Sequence, residues 1–230
     1  MPKPYYAVIK FCLALLVVAG FISGCKQKPV AASMPSDYSL RKFWLQDSLA
    51  FIQIYIPNEL DTFYEWVHVS DDVCDDYHLY RFANKTYPTI AETGFYWERP
   101  DSAYQLSVYH IDKYYCTHSS PLLDSGQLAI RIAHVINKYK DQGDSILSIN
   151  GEVADYNGQR FIVIGFTALE SYPKQRRASY LTAVTFIDSN FLAFNYTNSG
   201  SGCPDFINRM NVSLASIKIT TKQTAVDLTK

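Results

Sequence analysis

The stretch ILSINGEVADYNGQRFIVIGFTAL, residues 146–169, decides the fold. Asn157-Gly158 stands at its middle, and a two-residue type I′ turn needs positive φ at both central positions, which Asn and Gly tolerate best. The runs on either side are apolar and β-branched, so 146–156 and 159–169 are expected to pair as one antiparallel hairpin. Downstream, 179–187 and 191–196 flank Asp188-Ser189-Asn190, which reads as a three-residue hairpin loop. Upstream the period changes. Leu128, Ile132, Val135, Ile136 and Tyr139 make one helical stripe, with Asp124 or Ser125 to cap its start and Gly143 after its end.

Further towards the amino end, 49–56 alternates as a strand with Ile52, Ile54 and Ile56 on one face, and Pro57 ends it. Residues 63–69 fit a strand or a helix equally well. Two aromatic alternating runs, 78–84 and 93–98, and a longer one, 104–115, read as strands. At the other end Phe206, Met210, Leu214 and Ile217 form a second helical stripe, with Pro204 where a first helical turn tolerates it. Strands that pair with their sequence neighbours give an antiparallel β-sheet whose apolar face helices must cover. The expected fold class is therefore α+β, an α/β/α sandwich.

The order of a long amphipathic helix, an Asn-Gly hairpin, two more strands and a short closing helix resembles the PsbP-like family. The resemblance runs from about Leu122 to Ile219 and is nearest in Phe206-Ile207-Asn208-Arg209-Met210 and Ser216-Ile217-Lys218-Ile219. It implies a binding or assembly domain without catalytic machinery, of a kind often tethered at membranes. The first half of the chain departs from that pattern, because 63–115 is unusually aromatic.

The amino end gives an address. Lys3 and Lys10 precede an apolar run from Phe11 that closes on Ile22-Ser23-Gly24-Cys25. The run is too short for a spanning helix, and its basic flank and small-residue exit read as a secretory signal. Ile-Ser-Gly-Cys resembles the lipobox of bacterial lipoproteins, which implies cleavage before Cys25 and acylation of that cysteine, with palmitate among the usual chains. The expected organisation is a signal peptide over 1–24, acylated Cys25 with a flexible tether over 25–37, one domain over 38–222 and a tail over 223–230. The expected location is the bacterial cell envelope, on the outer membrane facing the periplasm. Removing 1–24 takes away two lysines and no acid, moving the net charge from −1 to −3. That is too mild to suggest nucleic acid as a partner.

Cys74, Cys116 and Cys203 remain in an oxidising compartment, and Cys74 with Cys116, both beside strands of the aromatic half, is the expected disulfide. Cys74 and His78, with Cys116 and His118, offer zinc-type ligands at spacings that match no familiar zinc module, so no metal and no cofactor is expected. Asp71, Asp72, Asp75 and Asp76 lack the order of a calcium loop and read as a solvated acidic loop. His110 and Asp112 share a strand face without a nucleophile to serve, and no catalytic residue is expected. Asp47-Ser48, Asp101-Ser102 and Asp144-Ser145 resemble O-glycosylation sites of bacterial envelope proteins.

The tyrosine run of the first half, Tyr77, Tyr80, Tyr96, Tyr104, Tyr109, Tyr114 and Tyr115, suits a contact surface as well as a core. Trp97, with Tyr96 and Tyr104, is the expected partner-binding anchor. The function expected from these features is that of a membrane-anchored, non-enzymatic subunit, with the membrane and an envelope protein as partners. The alternative is a small-ligand or glycan-binding lipoprotein that uses the same aromatic half.

Overall fold

The computed structural model describes residues 34–69, 77–86, 103–111, 122–171, 175–188, 190–200 and 205–221. The Asn157-Gly158 hairpin forms as the sequence predicts. Asn157 takes φ 50° and Gly158 φ 84°, joining β6 (Ser145–Tyr156) to β7 (Gln159–Glu170). Strand β8 (Arg176–Ile187) pairs with β7 and with β9 (Asn190–Ser199), all antiparallel. Ile187 pairs directly with Asn190, so the connection is two residues long, not the three expected. Asp188 in that turn takes φ 46°, which a short polar side chain tolerates.

Of residues 63–69, ambiguous by pattern, 63–68 are strand, within β3 (Thr62–His68). It pairs with β4 (Tyr77–Ala83), β4 with β5 (Ala103–Ile111), and β5 with β9. The result is a seven-stranded sheet in the order β3-β4-β5-β9-β8-β7-β6. A second, three-stranded sheet has the order β1-β2-β10, from β1 (Tyr38–Trp44), β2 (Ala50–Pro57) and β10 (Lys218–Thr221).

Helix α1 (Ser125–Asp141) begins where Asp124 accepts a 2.8 Å hydrogen bond from the Gln127 amide. After it comes Gly143, whose φ of 75° is the left-handed stop that favours glycine. α1 lies on one face of the large sheet over β6 and β7. There Leu128, Ile132 and Val135 pack on Ile162, Ile164 and Phe166. Gly151 lets the helix come close, since a Cβ there would lie 2.7 Å from a Leu128 methyl and 3.3 Å from the Val163 carbonyl oxygen.

The opposite face departs from a helix-covered layer. Helix α2 (Phe206–Ala215) covers part of it, and the three-stranded sheet lies beside the helix. Ile52, Ile54 and Ile56 of β2 are fully buried in the same core as Tyr80, Leu106, Phe194 and Met210. The molecule is thus an α+β fold dominated by antiparallel strands. Alternating isoleucines supply the apolar cover that a second layer of helices was expected to give. Beyond the end of β10, α2 completes the open edge of β2: the Tyr55 amide donates to Ser216 Oγ at 2.9 Å, and Ser213 Oγ donates to the Tyr55 carbonyl at 2.6 Å.

Candidate functional site

Aromatic side chains converge where β3 and β4 meet β1. Phe43 of β1 lies 5.1 Å from Tyr80, 5.6 Å from Phe82 and 6.5 Å from Phe63, by ring centroids. Phe63 and Phe82 are neighbours across β3 and β4 at 4.9 Å. The inner members of this cluster are core, and Tyr80 fixes the chain beyond β1 by accepting a 2.7 Å hydrogen bond from the Gln46 amide. The outer members are not core. β3 is the last described strand on its side of the sheet, and it leaves Phe63, Tyr64 and Val67 each 45 % exposed; Val69, just past its end, is 75 % exposed.

The two faces of β3 differ in chemistry. Phe63, Glu65 and Val67 point to the face shared with Phe43, while Tyr64, Trp66 and His68 point to the other, following the alternation of a strand. On that second face the Arg81 guanidinium sits 5.0 Å over the Trp66 ring, and Arg81 Nε donates to Ser107 Oγ at 3.0 Å. His68 stacks on Tyr77 at 4.8 Å, and Tyr77 meets Tyr109 at 5.6 Å. The edge therefore carries aromatic side chains on both faces and one anionic position, Glu65, at the middle of β3.

Of the expected anchors, Trp97 and Tyr96 lie outside the described residues, as do Cys25, Cys74, Cys116 and Cys203. Tyr104 is corrected by its surroundings. It is 5 % exposed, and its ring lies 6.2 Å from Phe206, so it belongs to the core and not to a contact surface. Strand alternation alone could not show that the Tyr104 face of β5 is the one turned to the core, with Leu106 and Val108. The exposed residues that sequence reading passed over are Phe63, Tyr64 and Val67, whose helix-or-strand ambiguity hid their alternation.

Among polar candidates, His110 pairs across the sheet with His78, their rings 5.7 Å apart and both buried; Asp112 and the acidic run 71–76 lie outside the described residues. Among the described residues no group of three or more His, Cys, Asp or Glu side chains gathers as a metal site would require. His134 of α1 is exposed. Beside α1 a trough of about 430 Å³ has Ile162, Ile164 and Val184 in its floor and Gln127, Arg131 and His134 on its helix side. Further along the helix, the buried Glu170 carboxylate pairs with Arg176 at 2.7 Å and accepts a short hydrogen bond from the Tyr180 hydroxyl. Burial, with Tyr139 and Glu170 beside it, raises the Tyr180 phenol far above its ordinary value. No described helix is long and apolar enough to cross a membrane.

No family model and no curated protein matches this chain. Among solved structures it is similar to the solution structure of a cyanobacterial PsbP, CyanoP, from Synechocystis sp. PCC 6803. The identity is 12 %, the match covers 84 % of this chain and 99 % of that one, and the TM-score is 0.44.

Proposed function

We propose that the protein is a non-enzymatic subunit or assembly factor of the bacterial envelope, anchored through acylated Cys25, that binds another protein along the β3 edge. The observation that carries this reading is the exposure of Phe63, Tyr64 and Val67 on the outermost described strand, with Val69 just beyond its end. Such an edge offers a row of backbone donors and acceptors, and a partner segment can add to it as a further strand while its alternate side chains choose the register. The partner is a different protein and not a second copy. Two β3 strands paired antiparallel about their middle residue would set Glu65 against Glu65, and like charges directly opposite are destabilising. A partner strand carrying a basic residue between apolar ones on one face fits Phe63, Glu65 and Val67. The region that resembles PsbP-like domains, from Leu122 to Ile219, serves in this reading as the scaffold.

Pull-down from solubilised membranes with wild type, Tyr64→Ala and Val67→Lys tests this. Both substituted side chains are half-exposed, so melting should stay near wild type while the partner is lost. Retention of the same partner by both variants defeats the reading. A second reading, a small-ligand subunit, is favoured by the trough beside α1, whose volume falls in the range of ligand clefts. Its signature is a Val184→Phe variant that fills the floor and abolishes uptake of a small apolar probe without changing the pull-down.

A further inference from the structure

The outer face of the three-stranded sheet, on the side turned away from the core, carries a second group of exposed apolar side chains among the described residues. Its side chains stand in three cross-strand rows: Leu40 with Tyr55, Lys42 with Gln53 and Lys218, and Trp44 with Phe51 and Thr220. Trp44 is 53 % exposed and rests on Phe51 at 5.0 Å; Leu40 is 39 % exposed, and both lysines are exposed. No carboxylate stands in these rows. The face is thus amphipathic and cationic on a chain whose net charge is negative.

Aromatic rings with a polar tip settle at the headgroup level of a bilayer, and nearby lysines are drawn to anionic headgroups. The face also lies close in sequence to the expected anchor. Residues 35–37 are held to the domain, since the Tyr38 amide donates to the Pro35 carbonyl and the Asn58 amide to the Asp37 carbonyl, so residues 26–33 separate Cys25 from it by at most about 30 Å. A surface held that close to a membrane meets it at an effective concentration in the millimolar range, so even a weak interfacial affinity fixes an orientation.

We propose that this face, with Trp44, Phe51, Leu40 and Tyr55 as its rings and chains and Lys42 and Lys218 as its charges, rests on the lipid surface that carries the anchor. The proposal relies on the reading of Cys25 as an acylated residue. The domain would then lie on the bilayer by a defined side instead of hanging freely from its tether.

The test uses the full acylated chain in vesicles of phosphatidylcholine and phosphatidylglycerol with brominated acyl chains, which quench tryptophan only on contact. The expected result is quenching in wild type that Trp44→Phe removes, although Trp66 and Trp97 still emit. A paired variant, Lys42→Glu with Lys218→Glu, keeps the ring and should lose quenching on the anionic vesicles. Flotation of each sample separates the two ways of failing. A chain that floats with the vesicles but shows no quenching overturns the resting face and leaves the anchor intact, with the face open to a protein. A chain that does not float overturns the anchor reading and this proposal with it. Quenching that persists in Trp44→Phe assigns membrane contact to another tryptophan and overturns the proposal.

Discussion

Asn157 shows how far a single residue can be read from sequence. Its turn was legible, because a two-residue hairpin needs left-handed backbone there. Its second role was not: Asn157 Nδ2 donates to the Ile217 carbonyl at 2.7 Å and the Ala215 carbonyl at 3.3 Å, tying the hairpin tip to the end of α2. No local pattern announces a contact with a residue sixty positions away. Asn157→Gly keeps the backbone conformation and removes only the side-chain bonds, and should cost about 1 kcal/mol. Asn157→Ala loses the bonds and strains the turn as well, and should cost about 1–2 kcal/mol more. Urea denaturation of both variants checks the difference, and equal stabilities would remove the tie from the account. The buried phenols make a prediction of the same scale. Burial, with Glu152 adding to it, pushes Tyr156 up to about 12 from an ordinary 10.0. Burial likewise raises Tyr180 and Tyr196. Above pH 10 the folded chain therefore holds protons that the unfolded chain has released, and stability falls as pH rises from about 10 through 12. Denaturation midpoints measured alongside tyrosinate absorbance should fall together over that window. A midpoint that stays flat there contradicts the burial of these rings.

At the scale of elements, the long periodic segments were legible and the short paired ones were not. The stripe from Leu128 to Tyr139 and its Asp124 cap sit where the helical period puts them, since one face meets the sheet and the other meets water. Asp124→Ala should destabilise the domain by about 1 kcal/mol, read from a denaturant melt, because it leaves the Gln127 amide without its cap. Gly151→Ala, beneath the same helix, forces Leu128 and the Val163 carbonyl to give way, and should cost about 1–3 kcal/mol. β1 and β10 went unread for a physical reason. Each gets its strand character from β2, which pairs with both, and β10 is only four residues long. The three-stranded sheet exists through partners far apart in sequence, and so local pattern predicts helix as the cover on that side of the core. Of the candidate interface, the aromatic character of the first half was legible; which rings face outward depends on which faces of β3 and β5 other layers cover.

At the scale of the molecule, the large sheet is two runs of sequence neighbours, β3 to β5 and β6 to β9, sewn together by β5 against β9. The small sheet is closed only by β10, which sets 218–221 against 50–53. That pairing has a consequence for how the chain comes into being. Synthesised or exported from its amino end, it presents β2, with its three inward isoleucines, well before β10, the last described strand, exists. Until then one edge of β2 is open to foreign strands, and Ile217, 1 % exposed in the finished fold, has not arrived to help seal the core. Closure waits for β10, because contacts between distant segments form late. A chain cut before Ile217 should therefore stay soluble only with a chaperone, bind apolar dyes and melt without a cooperative transition. A truncated chain that melts as sharply as wild type would mean that the core is complete before β10 is made.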